Sequence, residues 1–227
     1  MLIDICRQRR SQGDAAMTTT LRVAPSVGSY DVDSAKQAVE AMAGGGLIVI
    51  ADGTRAVLAC CAATATTATL DVMIRHTSGF VQVALPEETC DTLLIPQATP
   101  SRRRHDTSSF GQCVAVDAAS AVTTGISAAD RATTARVLAD PSSTHLDLVR
   151  PGHVVPVCIA PKRHRIGSTV ASLALDLSVD ANSRPGAVFA DIVSTSNPLN
   201  MADYREARGY AVDNGFPFVA VRDRTYR

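Results

Sequence analysis

The sequence predicts an α plus β protein folded as one domain. Short runs rich in β-branched residues alternate along the chain with segments whose apolar residues recur at helical spacing. No repeat or Pro/Gly-rich linker divides the 227 residues, and 46% of them are hydrophobic, enough for one substantial core. This pattern leaves open whether the strands form a parallel, doubly wound sheet or a mixed sheet.

The N-terminal elements follow from local patterning. A helix is predicted over 34–42, where apolar residues share one face and three consecutive glycines end it. A buried strand is predicted over 47–50, and the turn after it carries Asp52 and Arg55. Residues 59–69 are small and nearly chargeless, and they lead into a helical segment that ends in MIRHTSG.

The rest of the chain continues the alternation. Ser127 and Asp130 form a capping-box pattern that opens a helix, and this helix stops at Pro141. The other predicted elements are strands over 80–85, 110–118 and 153–160, a helix over 168–177, a strand over 187–193, a helix over 201–215 and a last strand over 216–221.

Residues 1–30 are polar and lack periodicity, so we interpret them as a mobile segment or an extension over a partner surface, before a single domain over 31–227. The formal charge is zero, which predicts no nucleic-acid or membrane partner. No apolar run approaches the ~20 residues of a membrane span, so a cytoplasmic location is predicted. The six cysteines form no C-x-x-C pair, and we expect reduced thiols.

Three strings make the chain resemble the 3,4-dihydroxy-2-butanone 4-phosphate synthases of riboflavin biosynthesis: IRHTSG at 74–79, TTGISAADR at 123–131 and RPGHVVP at 150–156. The resemblance runs from about residue 34 to the C-terminal TYR. It implies a three-layer α/β/α sandwich with a mixed sheet. It also implies a homodimer whose active sites lie near the subunit boundary.

The chain departs from this family where the family binds its metal. In the family, a glutamate in an acidic loop of the type DDEDRENEGDL binds the divalent metal. Here the loop reads ADGTRAVLA, which is shorter by about three residues, keeps Arg55 and places Val57 where the family has an aspartate near the end of the loop. The second metal ligand, the histidine of R-G-G-H-T-E, is replaced by Ser168. Magnesium prefers oxygen ligands, usually including carboxylates, so the sequence predicts no metal and no other cofactor. Magnesium is expected only if the chain is an authentic synthase.

Other residues of the family's site are retained. His153 matches a family residue essential for catalysis, and Asp191 aligns with an essential glutamate, so both are candidate acid/base residues. The candidate residues for binding a phosphate or carboxylate group of a small-molecule substrate are Arg55, Arg165, Gly167, Ser168 and Thr169.

Four further residues are candidates for lining the pocket, namely His76, Ser78, Thr124 and Cys60. Capping or turn roles are the alternative for the polar residues, and ordinary core packing is the alternative for Cys60. No basic residue lies near Cys60 in sequence to activate its thiol as a nucleophile.

Three functions are compatible with this mixture of lost and retained residues. The leading hypothesis is a divergent, metal-independent enzyme that applies acid/base chemistry to a different small carbonyl or anionic substrate in a specialised biosynthetic pathway. The second is a non-catalytic ligand-binding or partner subunit of the same fold. The third is an authentic synthase that recruits its metal through Asp52, Asp191 or a partner chain.

Overall fold

The computed structural model describes residues 32–52, 55–98, 111–160 and 169–221. The strands are β1 (Ile48–Ala51), β2 (Ala56–Cys61), β3 (Gln82–Pro86), β4 (Gly111–Gln112), β5 (Val116–Ala118), β6 (Leu148–Ile159), β7 (Ala187–Asp191) and β8 (Phe218–Ala220). The helices are α1 (Val32–Ala43), α2 (Thr67–His76), α3 (Glu87–Thr92), α4 (Ala128–Ala139), α5 (Val170–Asp180) and α6 (Tyr204–Asn214). The predicted extension over 1–30 lies outside the described residues.

The strands form one mixed sheet in the spatial order β4-β6-β3-β7-β2-β1-β8, and β5 pairs with β6 beside this path. Strands β3 and β6 are parallel, as are β1 and β8. The other pairs are antiparallel. The mixed sheet that the resemblance implied is therefore confirmed.

Helices cover both faces of the sheet, which gives the predicted three layers. Helices α2, α3, α4 and α6 pack on one face, and α1 and α5 pack on the other. All six residues of β2 are buried. Leu58 belongs to the first core, whereas its neighbours Val57 and Ala59 belong to the second, because successive side chains of a strand point to opposite faces.

Three elements differ from the sequence-based expectation. Strand β2 arises from a small-residue stretch that lacks the alternation of a half-buried strand, because both of its faces are covered. The strand predicted over 110–118 is divided into β4 and β5, which pair with different parts of β6. Helix α3 was not predicted, since its six residues are too few to show helical periodicity.

None of the helices in the described ranges is long and apolar enough to cross a membrane.

Helix α6 begins at a hydrogen-bonded carboxylate cluster. Asp203 caps the helix by accepting from the N–H groups of Arg205 and Glu206. Glu206 Oε1 accepts from the hydroxyls of Ser196 at 2.7 Å and Ser194 at 2.8 Å. These bonds, with the Ser196 hydroxyl contributing most, lower the pKa of Glu206 from 4.5 to about 2. Glu206 thereby ties α6 to the segment after β7.

This lowered pKa predicts a pH-dependent stability contribution. Because the folded-state pKa lies below the ordinary value, the contribution is complete above about pH 4.5 and is lost as the pH falls towards about 2. We expect Glu206→Gln to lower the thermal unfolding midpoint at pH 7, with the difference from wild type narrowing below pH 4.5. Glu40→Gln, at an exposed position of α1, is the control. A pH-independent difference would contradict this assignment.

Candidate functional site

The retained polar residues meet at one edge of the sheet, which is formed by the ends of the neighbouring strands β6, β3 and β7. Gln82, at the start of β3, pairs with Val155 of β6 on one side and with Phe189 of β7 on the other. His153 and Asp191 each lie two residues from these partners, on the strands that flank β3. Because neighbouring strands are ~4.8 Å apart, β6 and β7 are separated by roughly 10 Å. This edge can therefore place two titratable side chains on either side of a small molecule.

Asp117 binds both the backbone and the ring of His153. Its Oδ1 accepts from the His153 backbone N–H at 2.9 Å, and its Oδ2 lies 2.7 Å from His153 Nδ1. The Asp117 side chain is only 8% exposed, whereas that of His153 is 44% exposed. A proton on Nδ1 satisfies the carboxylate, so we assign the Nδ1–H tautomer, which leaves Nε2 as the basic nitrogen of the neutral ring.

A strand irregularity brings this pair together. The register between β5 and β6 shifts between Val116 and Asp117. At this point a Cβ on Gly152 would lie 2.4 Å or less from the backbone of Val116, so only glycine permits such a close approach. Asp117 was not among the site residues predicted from the sequence. The available signal was a lone carboxylate within an otherwise apolar strand pattern.

Arg55 and Asp191 form the second ion pair of this edge. Arg55 Nε donates to Asp191 Oδ1 at 2.7 Å, and Arg55 Nη2 lies 2.6 Å from the same oxygen. Gln82 Nε2 approaches Asp191 Oδ2 at 3.4 Å, and the backbone N–H of Arg55 donates to Asp52. The Arg55 side chain is 31% exposed, so it can still be reached from solvent.

The other predicted site residues are placed as follows. Ser78 donates its backbone N–H to the Asp191 carbonyl at 2.8 Å, which places it beside the Arg55–Asp191 pair. Thr124 is exposed, and His76 lies at the end of α2 with its ring 6.0 Å from that of Tyr210. Thr169 caps α5 by accepting from the Ser172 N–H. The predicted anion-binding residues Arg165, Gly167 and Ser168 lie outside the described residues.

Cys60 lies inside β2, where its side chain is 1% exposed. Burial, with a smaller contribution from the neighbouring Cys61 thiol, raises the pKa of Cys60 to about 12. Since the thiolate is the nucleophilic form, this environment disfavours a nucleophilic role.

Within the described ranges, no group of three or more His, Cys, Asp or Glu side chains could hold a metal ion. Magnesium, however, is commonly held by one or two carboxylates together with substrate oxygens and water. Asp52 accepts from the backbone N–H of Arg55, whereas Asp191 accepts from its guanidinium, so the two carboxylates lie at opposite ends of the same residue. The donor set at this edge therefore fits magnesium only if the substrate supplies part of the ligand shell.

Comparisons with known proteins agree with the resemblance. A sequence profile of the 3,4-dihydroxy-2-butanone 4-phosphate synthase family matches residues 36–224. The riboflavin biosynthesis protein RibBA of Nocardia farcinica is 39% identical over 198 residues, covering 84% of this chain and 47% of that protein. RibBA of Mycobacterium tuberculosis is 36% identical over 199 residues, covering 85% and 46% respectively. The chain thus spans about half the length of the curated relatives it matches.

Solved structures show the same fold. A 3,4-dihydroxy-2-butanone 4-phosphate synthase in complex with two magnesium ions aligns with a TM-score of 0.73 and 28% identity, covering 82% of this chain and 91% of that one. The synthase of Candida albicans aligns with a TM-score of 0.72 and 27% identity, covering 82% and 92%.

These matches correct the leading functional hypothesis. A divergent, metal-independent enzyme acting on a different substrate is the wrong interpretation, because relatives that are 36–39% identical over most of this chain are riboflavin biosynthesis proteins. A structural neighbour is moreover a magnesium-bound synthase. The shortened acidic loop and the replacement of the metal-ligand histidine by Ser168 led to the error, since together they were taken as the loss of the whole metal site. The findings favour the authentic-synthase alternative.

The buried position of Cys60 predicts low reactivity. We expect iodoacetamide at pH 8 to leave Cys60 unmodified in the folded protein and to modify it after denaturation, because the folded thiol has a pKa of about 12. Peptide mass mapping would measure this, with the partly exposed Cys158 as the internal comparison. Alkylation of Cys60 at the rate of Cys158 in folded protein would show that the thiol is accessible.

Proposed function

Since the chain belongs to the 3,4-dihydroxy-2-butanone 4-phosphate synthase family, we propose that it converts ribulose 5-phosphate into formate and 3,4-dihydroxy-2-butanone 4-phosphate. The observation that carries this proposal is the Asp117–His153 pair, which presents a partly exposed imidazole backed by a buried carboxylate. The Arg55–Asp191 pair lies at the same sheet edge. The reaction that the resemblance implies proceeds through enediol formation, dehydration, rearrangement and C–C cleavage.

His153 is proposed as the main proton carrier. With Nδ1 on Asp117, Nε2 takes a proton from the carbon beside the substrate ketone, which generates an enediolate. Asp117 stabilises the imidazolium that forms and keeps the ring oriented. The proton on Nε2 is then available to a departing hydroxyl in the dehydration step. An acid/base group of this kind typically contributes ~10²–10⁴-fold to the rate.

Asp191 is proposed as the second acid/base residue. Its Oδ1 is held by Arg55, and within the described residues its Oδ2 receives only the long 3.4 Å contact from Gln82. Oδ2 is therefore the oxygen more available for a substrate proton. Arg55 orients the carboxylate, and its remaining N–H groups can donate to a substrate oxygen.

The substrate phosphate is proposed to bind near the start of α5. Thr169 lies at the N-cap of this helix, where backbone N–H groups and the helix dipole favour an anion. In the sequence, Thr169 directly follows the predicted binding residues Arg165, Gly167 and Ser168. A guanidinium group can bind a phosphate monoester through paired hydrogen bonds, which is the role proposed for Arg165.

Magnesium is the proposed cofactor. Asp52 would hold it together with substrate oxygens and water, which leaves Asp191 Oδ2 for proton transfer, and the bound ion would stabilise negative charge on the substrate oxygens. Because the described residues alone provide few ligands, magnesium should bind much more tightly in the presence of substrate than in its absence.

The activity is directly testable. We expect the protein to release formate from ribulose 5-phosphate when magnesium is present, and we expect an excess of EDTA to abolish the release. Coupling to formate dehydrogenase measures formate, and phosphorus NMR identifies the four-carbon phosphate. No formate above a protein-free background, with magnesium present, would overturn the proposed function.

Variants at histidine positions test the assigned base in the same assay. His153→Ala should lower kcat by ~10²–10⁴-fold because Nε2 is lost. Its thermal unfolding midpoint should fall, because Asp117 Oδ2, in a side chain only 8% exposed, loses its partner, so the rates are compared well below that midpoint. His145→Ala, at an exposed histidine in the 3₁₀ turn before β6, is the matched control and should keep full activity. Equal rates for both variants would remove His153 from the mechanism.

We further propose a homodimer, supported by the resemblance and by large apolar side chains exposed near the site. Phe80, before β3, is 48% exposed, and Ile126, in the loop before α4, is 53% exposed. Large exposed apolar side chains grouped in this way favour a protein interface.

A cytoplasmic location, a single domain and the absence of nucleic-acid partners remain predictions.

Light scattering coupled to gel filtration tests the assembly. We expect a mass of twice the 23.8 kDa of one chain at micromolar concentration. Phe80→Glu should shift the mass towards that of one chain, because a buried charge without a partner is costly at an interface. A wild-type monomer at this concentration would contradict the dimer.

A further inference from the structure

The loop between β5 and α4 lies directly against the Asp117–His153 pair. A Cβ on Gly125 would overlap Asp117 Oδ2 and would lie 2.5 Å from Asp117 Cγ and 2.7 Å from His153 Nδ1. Gly125 also has a φ of +81°, a conformation that residues with a side chain rarely adopt. The backbone at position 125 is therefore packed directly against the Asp117–His153 pair. Any side chain there would push the Asp117 carboxylate away from the His153 ring.

Asp130 fixes this loop backbone by hydrogen bonds. It is 4% exposed, and its Oδ1 accepts from the Thr123 N–H at 3.0 Å. Its Oδ2 accepts from the Thr123 hydroxyl at 2.8 Å and from the Gly125 N–H at 3.1 Å. These bonds, chiefly the one from the Thr123 N–H, lower the pKa of Asp130, so the carboxylate is ionised at neutral pH.

This use of Asp130 differs from the role that the sequence predicted. A complete capping box would return the Asp130 carboxylate to the N–H of Ser127. Helices α2, α5 and α6 each show such a reciprocal pair. At α4, Ser127 caps the Asp130 N–H, whereas the Asp130 carboxylate turns to the loop. The carboxylate is thus directed towards the backbone that contacts the Asp117–His153 pair.

The next residue fixes the loop from the other side. Arg131 Nε donates to the Ile126 carbonyl at 2.7 Å, and Arg131 Nη1 donates to the Gly79 carbonyl at 2.7 Å. Gly79 precedes β3, so this guanidinium links the loop to the sheet edge that carries the candidate site. Two consecutive residues of α4 therefore hold the backbone over 123–126.

We propose that Asp130 and Gly125 are positioning residues that keep His153 Nδ1 on Asp117 and thereby keep Nε2 directed towards the substrate. Asp130 fixes the loop, and Gly125 lets the loop backbone pack against the Asp117–His153 pair because it has no side chain. The effect on catalysis rests on the proposed function, whereas the effect on the imidazole can be observed without any substrate.

The test is imidazole nitrogen NMR on histidine-labelled protein, with the His153 signals assigned by their loss in His153→Ala. The wild type should show the Nδ1–H tautomer of the neutral His153 ring. Gly125→Ala should abolish this preference. Gly215→Ala is the matched control, because Gly215 has a similar φ of +69°, but among the described residues no atom lies within 4 Å of an added Cβ. It should leave the His153 signals unchanged while introducing comparable backbone strain.

Asp130→Asn provides a second measurement if Gly125→Ala does not fold. The amide preserves the shape but loses the negative charge and part of the acceptor capacity, so the tautomer preference should weaken. Glu206→Gln, at another carboxylate that accepts several hydrogen bonds, is its control and should not alter the His153 signals. In the formate assay, Gly125→Ala and Asp130→Asn should lower kcat at least ~10-fold with little change in KM. Both substitutions alter the orientation of His153 Nε2 and leave the substrate-binding residues in place.

The outcomes separate the two proposals. Loss of the tautomer preference in Gly125→Ala without synthase activity in the wild type would support the positioning role and overturn the proposed function. An active wild type whose Gly125→Ala and Asp130→Asn variants keep both the tautomer and the rate would overturn the positioning role and leave the proposed function intact.

Discussion

The site depends on one carboxylate that makes two different hydrogen bonds. Asp117 accepts from the backbone N–H of His153 with one oxygen and meets the ring with the other, so backbone and side chain of the histidine are fixed together. A buried carboxylate is costly unless its hydrogen bonds are satisfied, and both oxygens are occupied here. The register shift between β5 and β6, the missing side chain of Gly152 and the loop at Gly125 are the structural conditions for this contact.

The scaffold explains why the site lies at this edge. Strand β3 separates β6 from β7, so His153 and Asp191 face the same end of the sheet without touching each other. Strand β2 brings Arg55 to the end of β7, since Val57 pairs with Asp191. A hydrophobic core packs against each face of these strands and keeps the sheet rigid. The sheet therefore fixes the distance between the Asp117–His153 pair and the Arg55–Asp191 pair.

The sequence predicted those features that are encoded locally. The start of α4 at Ser127 and the strand over most of β6 follow from short-range patterns. The Asp117–His153 contact joins residues 36 positions apart, so no local pattern could identify it. The capping-box pattern located Asp130 correctly but not its hydrogen-bond partners, because a carboxylate near a helix start can turn to the helix or to the preceding loop. The resemblance supplied the mixed sheet of the sandwich, whereas composition and periodicity alone had left open whether the sheet was parallel or mixed.

The order of the strands also bears on the solubility of the protein. The outermost strands of the described sheet, β4 and β8, contain two and three residues, whereas the interior strands β2 and β6 contain six and twelve. A long, flat edge strand exposes a row of unpaired backbone groups that can add the strand of another molecule. Because β2 is paired on both sides and the outermost strands are short, these strands of the described sheet offer little template for edge-to-edge aggregation.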